Sequence, residues 1–383
     1  MSTVYLDHAA TTPLDPRVRE AMRPCFEEQF GNPSSRHPLG VRAARALQEA
    51  RRTVARALLV EPQRVVFTSG GTEALNLAVL GIARAARSKG RRVVIGPTEH
   101  ACVRGAAAAL AREGCDVVQL ALDSQGELDL DDAAAKLTPD TVLVAQMLAN
   151  NEFGTLYPVQ RLARLARARS PHARVVVDAV QAAGKLDCAP AELGVDALAF
   201  SAHKLNGPKG AGVLALASDL ALEPLVHGGG QEHGLRSGTE NVAACVGLAA
   251  ALELAENERE AAMRRWRELR ERLLAHLAKL GGVRVLEPGS QRLPSIVSIL
   301  WRGAPAEVRM HHLERLGVFV SAGSACQASK HELSPALRAL GLSDDDARST
   351  LRLSMGRTTT ADDVDLAARA FEQVARELEH VVR

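Results

Sequence analysis

The sequence lacks the long apolar runs of a membrane protein. Its most apolar stretch, residues 243–255, is interrupted by Glu253 and is too short to cross a bilayer. A secretory leader has a basic region followed by an apolar core, and residues 1–7 do not show this pattern. We therefore expect a cytoplasmic protein with no membrane contact.

Blocks of like charge and paired cysteines are also missing. The formal net charge is +2, and arginines alternate with glutamates in residues 259–272, so the charge pattern does not indicate nucleic-acid binding. The six cysteines show no Cys-x-x-Cys spacing, which argues against a disulfide framework or a structural zinc site. We interpret His311 and His312 as an exposed helix face and expect no bound metal.

The sequence does contain a regular alternation of short apolar runs and helical patterns. Seven such runs lie at residues 65–68, 93–97, 117–122, 141–147, 175–178, 197–202 and 212–217. This alternation predicts an α/β fold with a mostly parallel, seven-stranded sheet covered by helices on both faces. Ligands of such sheets bind beyond the carboxyl ends of the strands, so the polar residues after each run are candidates for a site.

The rest of the chain predicts a smaller α+β domain. Residues 256–280 carry apolar side chains at spacings of three and four and end at a Gly-Gly pair, which predicts a long connecting helix. Thr360, followed by Asp363, predicts the start of a last helix. Strand-like runs lie between these helices at residues 283–286, 295–301, 318–321 and 351–354.

The length and composition suit two domains. The chain has 383 residues, of which 46% are hydrophobic, and can therefore bury two cores. We predict a large domain over residues 12–255 and a small domain made of residues 1–11 and 256–383.

A glycine-rich turn, Ser69-Gly70-Gly71-Thr72, joins the first predicted strand to a helix. Backbone N–H groups and the Thr72 hydroxyl at such a turn would hold an anion such as a phosphate. Taken alone the turn is a weak signal, because many turns of this kind only reverse the chain. It lacks the Gly-Lys-Ser/Thr ending of a nucleotide P-loop, and no Gly-x-Gly-x-x-Gly supports a dinucleotide site.

A lysine and an aspartate stand at two other strand ends. Asp178 ends one predicted strand, Lys204 follows another, and lysines account for only seven of the 47 basic residues. This pair is the arrangement that pyridoxal phosphate (PLP) requires, because an amine attaches the cofactor and a carboxylate keeps its pyridine nitrogen protonated. Singly, Asp178, His100 and Asn150 also have ordinary explanations as helix caps or turn residues.

Seven motifs, taken together, resemble the cysteine desulfurases over nearly the whole chain. They are Asp7-His8-Ala9-Ala10-Thr11-Thr12, Thr68-Ser69-Gly70-Gly71-Thr72-Glu73, Thr98-Glu99-His100, Asn150-Asn151-Glu152, Val177-Asp178-Ala179-Val180-Gln181, Ser201-Ala202-His203-Lys204 and Gly323-Ser324-Ala325-Cys326. The resemblance implies a class V aminotransferase of PLP fold type I that acts as a homodimer. It also implies conversion of L-cysteine to L-alanine, with the sulfur passed to an acceptor protein or iron–sulfur scaffold protein.

The resemblance implies a role for each matching residue around the cofactor. Lys204 would hold PLP, Asp178 would pair with its ring nitrogen, and Gln181 would bind its phenolic oxygen. His100 would stack on the ring and take part in catalysis. The phosphate would be held by Gly71, Thr72, Ser201 and His203, together with Thr239 of the partner subunit.

The resemblance also implies how substrate and sulfur are handled. Arg352, helped by Asn150, would bind the substrate carboxylate in a bidentate fork. Cys326 would take the sulfur as a persulfide. The loop after Cys326, residues 327–331, is bulkier and more polar than the resemblance leads one to expect, which leaves partner choice open.

Two kinds of alternative function remain at this point. One is a related class V enzyme, a selenocysteine lyase or an aminotransferase, although an aminotransferase has no use for a nucleophile such as Cys326. The other is a PLP-fold scaffold or regulator without catalysis, against which Lys204, Asp178 and Arg352 argue. Alanine released without a 2-oxo acid would exclude the aminotransferase, and protein that lacks a yellow colour would favour the scaffold.

Overall fold

A computed structural model describes residues 3–322 and 334–379 of the chain. Within these ranges the strands are β1 (Val4–Tyr5), β2 (Val65–Thr68), β3 (Arg92–Ile95), β4 (Asp116–Gln119), β5 (Thr141–Met147), β6 (Arg174–Asp178), β7 (Ala197–Ser201), β8 (Gly212–Leu216), β9 (Val283–Leu286), β10 (Ile296–Trp301), β11 (Val318–Phe319) and β12 (Thr350–Ser354). The helices are α1 (Pro16–Met22), α2 (Pro24–Glu27), α3 (Pro38–Leu58), α4 (Gly71–Ala85), α5 (Ala101–Arg112), α6 (Leu130–Lys136), α7 (Val159–Arg169), α8 (Pro190–Leu193), α9 (Val242–Leu277), α10 (Ala306–Arg315), α11 (Pro335–Ala339), α12 (Asp344–Arg348) and α13 (Ala361–Glu379).

Strands β2 to β8 form one sheet of seven strands. Their order across the sheet is β2-β8-β7-β6-β5-β3-β4. Strand β8 runs antiparallel to both of its neighbours, and the other adjacent pairs are parallel. The predicted α/β fold with a mostly parallel, seven-stranded sheet is confirmed, and the seven predicted runs differ from the strands only at their ends.

Helices cover both faces of this sheet, and the strand residues alternate between the two layers. In β6, Val175 and Val177 pack in a core with side chains of α3, α7 and α9. Val176, which lies between them, packs on the opposite face with side chains of α4 and α5. This period of two is the geometry of a strand that is buried on both sides, and it explains why the strand sequences are almost continuously apolar.

The small domain is built on an antiparallel sheet of order β12-β10-β9 and a parallel pair of β1 with β11. Its core contains Leu273 of α9, Trp301 of β10 and Phe371 of α13. The rings of Trp301 and Phe371 stack with their centroids 5.6 Å apart. At the start of α13, Thr360 and Asp363 exchange side-chain to backbone hydrogen bonds, so the predicted capping box is confirmed.

The connecting helix begins earlier than the sequence predicted. Helix α9 spans 36 residues from Val242, whereas the apolar periodicity predicted a start at residue 256. Its first half is buried on most sides in the core of the large sheet and therefore shows no single apolar stripe. Its second half packs on the small domain along one face, which is the pattern that the sequence revealed.

No helix in the described residues is long and apolar enough to span a membrane. Within the same residues, no group of three or more histidine, cysteine or acidic side chains is arranged to hold a metal ion. On α10, His311 lies beside Glu314 and His312 lies beside Glu377 of α13.

Candidate active site

A cavity of about 320 Å³ lies at the carboxyl ends of the central strands. Residues that follow β2, β3, β5, β6 and β7 form most of its wall, and Ala9, Ala10 and Arg352 complete it. Nine of the predicted site residues line it, namely Gly71, Thr72, His100, Asp178, Gln181, Ser201, His203, Lys204 and Arg352. The sheet therefore brings together residues from Gly71 to Lys204, which are 133 positions apart in the sequence, and Arg352 joins them from β12 of another sheet.

Lys204 follows β7 in the short 3₁₀ turn Ala202–Lys204. Its Nζ donates hydrogen bonds to the carbonyl oxygens of Ala9 and Ala10, both at 2.6 Å. The amino-terminal segment thus lies over the lysine and closes one side of the cavity.

Asp178 ends β6 and is buried, with 7% of its surface exposed. Its Oδ1 accepts a hydrogen bond from the N–H of Val180 at 2.9 Å. Burial raises the pKa of this carboxyl to about 6, and the Val180 N–H and the nearby Lys204 amine oppose the rise. A cation placed against Asp178 would therefore be strongly favoured.

Gln181 lies one turn after Asp178 and forms hydrogen bonds with Ala9 and with Lys185. Its Nε2 donates to the carbonyl oxygen of Ala9 at 2.9 Å. Lys185 Nζ donates to the backbone carbonyl oxygen of Gln181 at 2.9 Å and to its side-chain Oε1 at 3.4 Å. Burial, and next the charge of Lys204, lower the pKa of the Lys185 amine to about 7.

The other end of the cavity lies at the start of α4. Gly71 begins this helix, and a Cβ placed there would come within 2.8 Å of Val180 Cγ2, so the position has no room for a side chain. Ser201 is buried beside it at the end of β7. His203 Nδ1 lies 3.1 Å from the Thr11 hydroxyl, and burial, with Lys204 and Lys209, lowers the pKa of this imidazole to about 4. N–H groups of a helix start and these neutral polar groups suit an anion.

His100 stands at the start of α5 as its N-cap residue. Its Nδ1 accepts a hydrogen bond from the backbone N–H of Cys102 at 3.2 Å, and the Cys102 sulfur lies 3.0 Å from the same nitrogen. Burial, and then the charges of Lys204 and Arg104, lower the pKa of the imidazole. The ring therefore enters the cavity wall as a neutral group.

Arg352 reaches the cavity from β12 of the small domain with only 2% of its surface exposed. Its Nη2 pairs with Asp7 Oδ1 at 2.7 Å, and its Nη1 donates to the carbonyl oxygen of Asn151 at 3.0 Å. Its buried Nε has no hydrogen-bond partner among the described atoms, so the guanidinium keeps a donor for a carboxylate ligand.

The geometry favours Asn151 over the predicted Asn150 beside a substrate. Asn150 is fully buried, and its Oδ1 accepts hydrogen bonds from the N–H groups of Glu152 and Phe153. This turn occupies the amide oxygen, as asparagine side chains often do, so the geometry does not support a contact of Asn150 with a substrate, and that role stays a prediction. Asn151 is the asparagine that lines the cavity.

Two other predicted residues remain, Thr239 and Cys326. Thr239 is exposed and is not among the lining residues. It ends the glycine-rich loop (residues 228–239), which is tied to α4 by an ion pair of Arg236 with Glu73 at 2.8 Å. Cys326 lies outside the described residues.

Sequence reasoning assigned no role to Asp7, Lys185 or Cys102, although the structure places each at the site. Asp7 and its neighbours belong to a quoted motif, but only the fold shows that this segment covers Lys204. Lys185, four residues after Gln181, carried a helical-spacing signal that could have been noticed. For Cys102, two residues after His100, no signal in the sequence separated it from a buried helix residue.

The residues of the cavity fit the chemical groups of PLP. Lys204 supplies an amine for attachment of the cofactor. Asp178, whose charge is disfavoured by burial, suits a protonated ring nitrogen. The side-chain-free position at Gly71, next to the start of α4, suits a phosphate.

This fold and this set of residues define a PLP-dependent enzyme of fold type I. A model of the class V aminotransferases matches residues 4–366. A cysteine desulfurase IscS of Dictyoglomus turgidum is 39% identical over 98% of this chain and 95% of that protein. A cysteine desulfurase IscS of Methylococcus capsulatus is 42% identical over 97% of this chain and 93% of that protein.

Solved structures agree with these relatives. A NifS-like protein superposes with a TM-score of 0.92 at 34% identity, covering 99% of this chain and all of that chain. A structure described as SspA in complex with cysteine superposes with a TM-score of 0.78 at 30% identity, covering 92% of this chain and 99% of that chain. The chain belongs to the class V aminotransferase family and, within it, to the PLP-dependent cysteine desulfurases.

Proposed function

We propose that this chain removes the sulfur atom of L-cysteine, releases L-alanine and carries the sulfur as a persulfide on Cys326. The observation that supports this most is the presence of Lys204, Asp178 and Arg352 in one cavity of a chain that matches cysteine desulfurases along its length. In the overall reaction, the C–S bond of cysteine breaks, a new S–S bond forms on Cys326, and the thiol protons end on alanine and the persulfide.

The residues of the cavity have separate roles in the proposed reaction. When bound, PLP supplies a protonated ring that withdraws electrons from the substrate α-carbon. Lys204 Nζ takes the proton from the α-carbon and returns one later. Arg352 holds the substrate carboxylate through its guanidinium, and Asp7 keeps that guanidinium in place at 2.7 Å.

Cys326 supplies the nucleophile in this proposal. The thiolate is the reactive form of cysteine, and Cys326 stands in a run of small residues, 321–326, which suits a segment that must reach both the substrate and an external acceptor. The proposed acceptor is a sulfur-acceptor protein or an iron–sulfur scaffold protein.

A homodimer is the proposed active form. In support, Thr239 is exposed at the end of the glycine-rich loop and does not line the cavity of its own chain, as expected of a residue that contacts a second subunit. Phe26 and Phe30 have 65% and 63% of their surface exposed, which is unusual for phenylalanine outside an interface.

Domain boundaries and location complete the proposal. We assign residues 12–255 to a large domain and residues 1–11 with 256–383 to a small one. In support, Val4 and Leu6 share a core with Leu273 and Phe371. The five cysteines of the described residues are free, which is typical of a reducing compartment such as the cytoplasm.

Incubation with L-cysteine tests the function directly. We expect alanine to accumulate without any added 2-oxo acid and sulfide to appear when a reductant is present. Cys326→Ser should bind PLP and L-cysteine but lose persulfide and sulfide production, whereas Cys115→Ser, altered outside the cavity, should react normally. Desulfuration by Cys326→Ser at the normal rate would overturn the proposal.

A further inference from the structure

The cysteine at position 102 contacts the histidine of the cavity. The two residues are separated by Ala101 at the first turn of α5. Two groups of Cys102 approach His100 Nδ1, the backbone nitrogen at 3.2 Å and the sulfur at 3.0 Å. Cys102 also lines the cavity together with His100 and Lys204.

This arrangement determines where the proton of His100 is. A backbone N–H can only donate a hydrogen bond, so Nδ1 must present its lone pair and cannot carry a proton. The thiol that shares this nitrogen must then donate as well, through its S–H. A neutral imidazole without a proton on Nδ1 carries it on Nε2.

The surroundings favour the neutral form of the His100 ring and the protonated form of the Cys102 thiol. The groups whose charges act on the ring are cationic, Lys204 from the turn after β7 and Arg104 from α5, and both disfavour an imidazolium. The start of a helix, where the backbone dipole is positive, disfavours it too. Burial, followed by the charges of Asp178 and Glu99, raises the pKa of the Cys102 thiol, so the S–H donor persists at neutral pH.

We propose that Cys102 is a positioning residue which, with the first turn of α5, holds His100 as the neutral tautomer protonated on Nε2. On the proposed function, His100 then acts toward cofactor and substrate as a hydrogen-bond donor, and Lys204 is left as the base. A neutral ring also adds no positive charge beside the protonated cofactor. Because the Cys102 thiol stays protonated, it is a poor nucleophile and would not accept sulfur in place of Cys326.

Nitrogen NMR of the holoenzyme with ¹⁵N-labelled histidine reads this state directly. The His100 signals are assigned by their loss in His100→Gln. We expect the shifts of a protonated Nε2 and an unprotonated Nδ1 throughout the neutral range. Cys102→Ala removes one donor to the neutral ring and should raise the pKa of His100 by about half to one unit.

Matched variants separate positioning from packing. Cys102→Ser keeps a side-chain donor and should restore the wild-type titration of His100, and Cys115→Ser should leave it unchanged. A proton on Nδ1, an imidazolium at neutral pH, or a wild-type pKa in Cys102→Ala would each overturn the proposal. The same spectra recorded on cofactor-free protein report the His100 tautomer whether or not the protein desulfurates cysteine. The alanine assay reports desulfuration whichever nitrogen of His100 carries the proton, so the two proposals can fail separately.

Discussion

Lys204 is distinguished from the other lysines by its position against the amino-terminal segment. Its amine lies in the cavity between Asp178 and the carbonyl oxygens of Ala9 and Ala10. Lys209, five residues later, contributes to a separate recess of the surface and does not line this cavity. The structure thus discriminates between two lysines that the sequence places in one turn.

Lys204→Ala should therefore abolish covalent attachment of PLP and with it turnover. After treatment with borohydride, intact-mass measurement should show the cofactor fixed to the wild-type protein and not to the variant. Lys209→Ala is the matched control and should still become labelled. Labelling of Lys204→Ala would mean that another lysine holds the cofactor.

The neighbouring Lys185 has a charge that the fold disfavours. Its amine is enclosed by protein, and its pKa falls from 10.5 to about 7. Between these values the unfolded chain holds a proton that the folded chain lacks, so stability rises with pH across this window. As pH falls, this gain is lost between 10.5 and about 7, and below about 7 the group causes no further change. Thiols of the unfolded chain are half ionised at about pH 8.5 and also contribute in this range, so the lysine is isolated by comparing a Lys185 variant with the wild type, whose thiols are the same.

We expect the free energy of unfolding of the cofactor-free protein in urea to respond to this group between pH 7 and 8.5. The contribution of Lys185 approaches about 1.4 kcal/mol per pH unit when one full proton differs. Lys185→Met should remove that contribution, so the slope of its unfolding free energy against pH should be less positive than that of the wild type, while the exposed Lys279→Met should follow the wild type. Parallel curves for Lys185→Met and wild type would show that the amine is not neutral in the fold.

At the scale of elements, the glycine-rich loop is held by a buried ion pair. Glu232 accepts two hydrogen bonds from Arg51 of α3, both at 2.7 Å, and one from the N–H of Phe67 in β2 at 2.8 Å. Glu232 and His233 have left-handed backbone angles, φ 48° and 60°, which cost roughly 1–3 kcal/mol each for such residues. The pair fixes a loop that would otherwise relax.

Glu232→Gln should lower the free energy of unfolding by about 3–5 kcal/mol, because it leaves the Arg51 guanidinium buried without its counter-charge. Urea unfolding monitored by circular dichroism measures this. Glu27→Gln, which breaks the exposed pair with Arg23, is the matched control and should cause no measurable change. An equally small effect at Glu232 would mean that the loop is fixed by other contacts.

The elements also show what sequence pattern can and cannot predict. Strands β5 to β7 were predictable because a parallel sheet buried on both faces requires short apolar runs between helices. The start of α9 was not, since a helix surrounded by apolar neighbours has no polar face to give a period. The sequence also could not show that Asn151 and not Asn150 lines the cavity, because two adjacent asparagines have the same chemistry until the turn decides which amide it occupies.

At the scale of the whole molecule, most of the site was predictable from the order of the strands. The carboxyl ends of parallel strands meet at one edge, so Asp178 and Lys204 had to lie close once the sheet was accepted. What could not be predicted were contacts between segments at opposite ends of the sequence, such as Asp7 with Arg352, because such pairing depends on how β1 and β12 dock. Contributions from a second subunit are equally invisible in the pattern of one chain.

The proposed homodimer is the property of the whole molecule that would most affect the site. Thr239 is exposed, whereas the phosphate end of the cavity is formed in this chain by Gly71, Ser201 and His203. If Thr239 of the partner subunit completes that end, dilution to monomer should release cofactor, as sedimentation and absorbance measured together would show. Thr239→Ala should weaken PLP binding roughly tenfold, the effect of losing one hydrogen bond to a charged group.

Mixing two inactive or weakened variants tests whether the site is shared. In a heterodimer of Lys204→Ala with Thr239→Ala, one cavity combines an intact Lys204 with the intact Thr239 of the partner subunit, and the other cavity carries both changes. Random exchange of subunits should therefore restore, in about half of the dimers, one cavity with wild-type cofactor affinity. If Thr239 serves the cavity of its own chain, no heterodimer cavity holds both residues, so mixing gives no gain and the shared site is refuted.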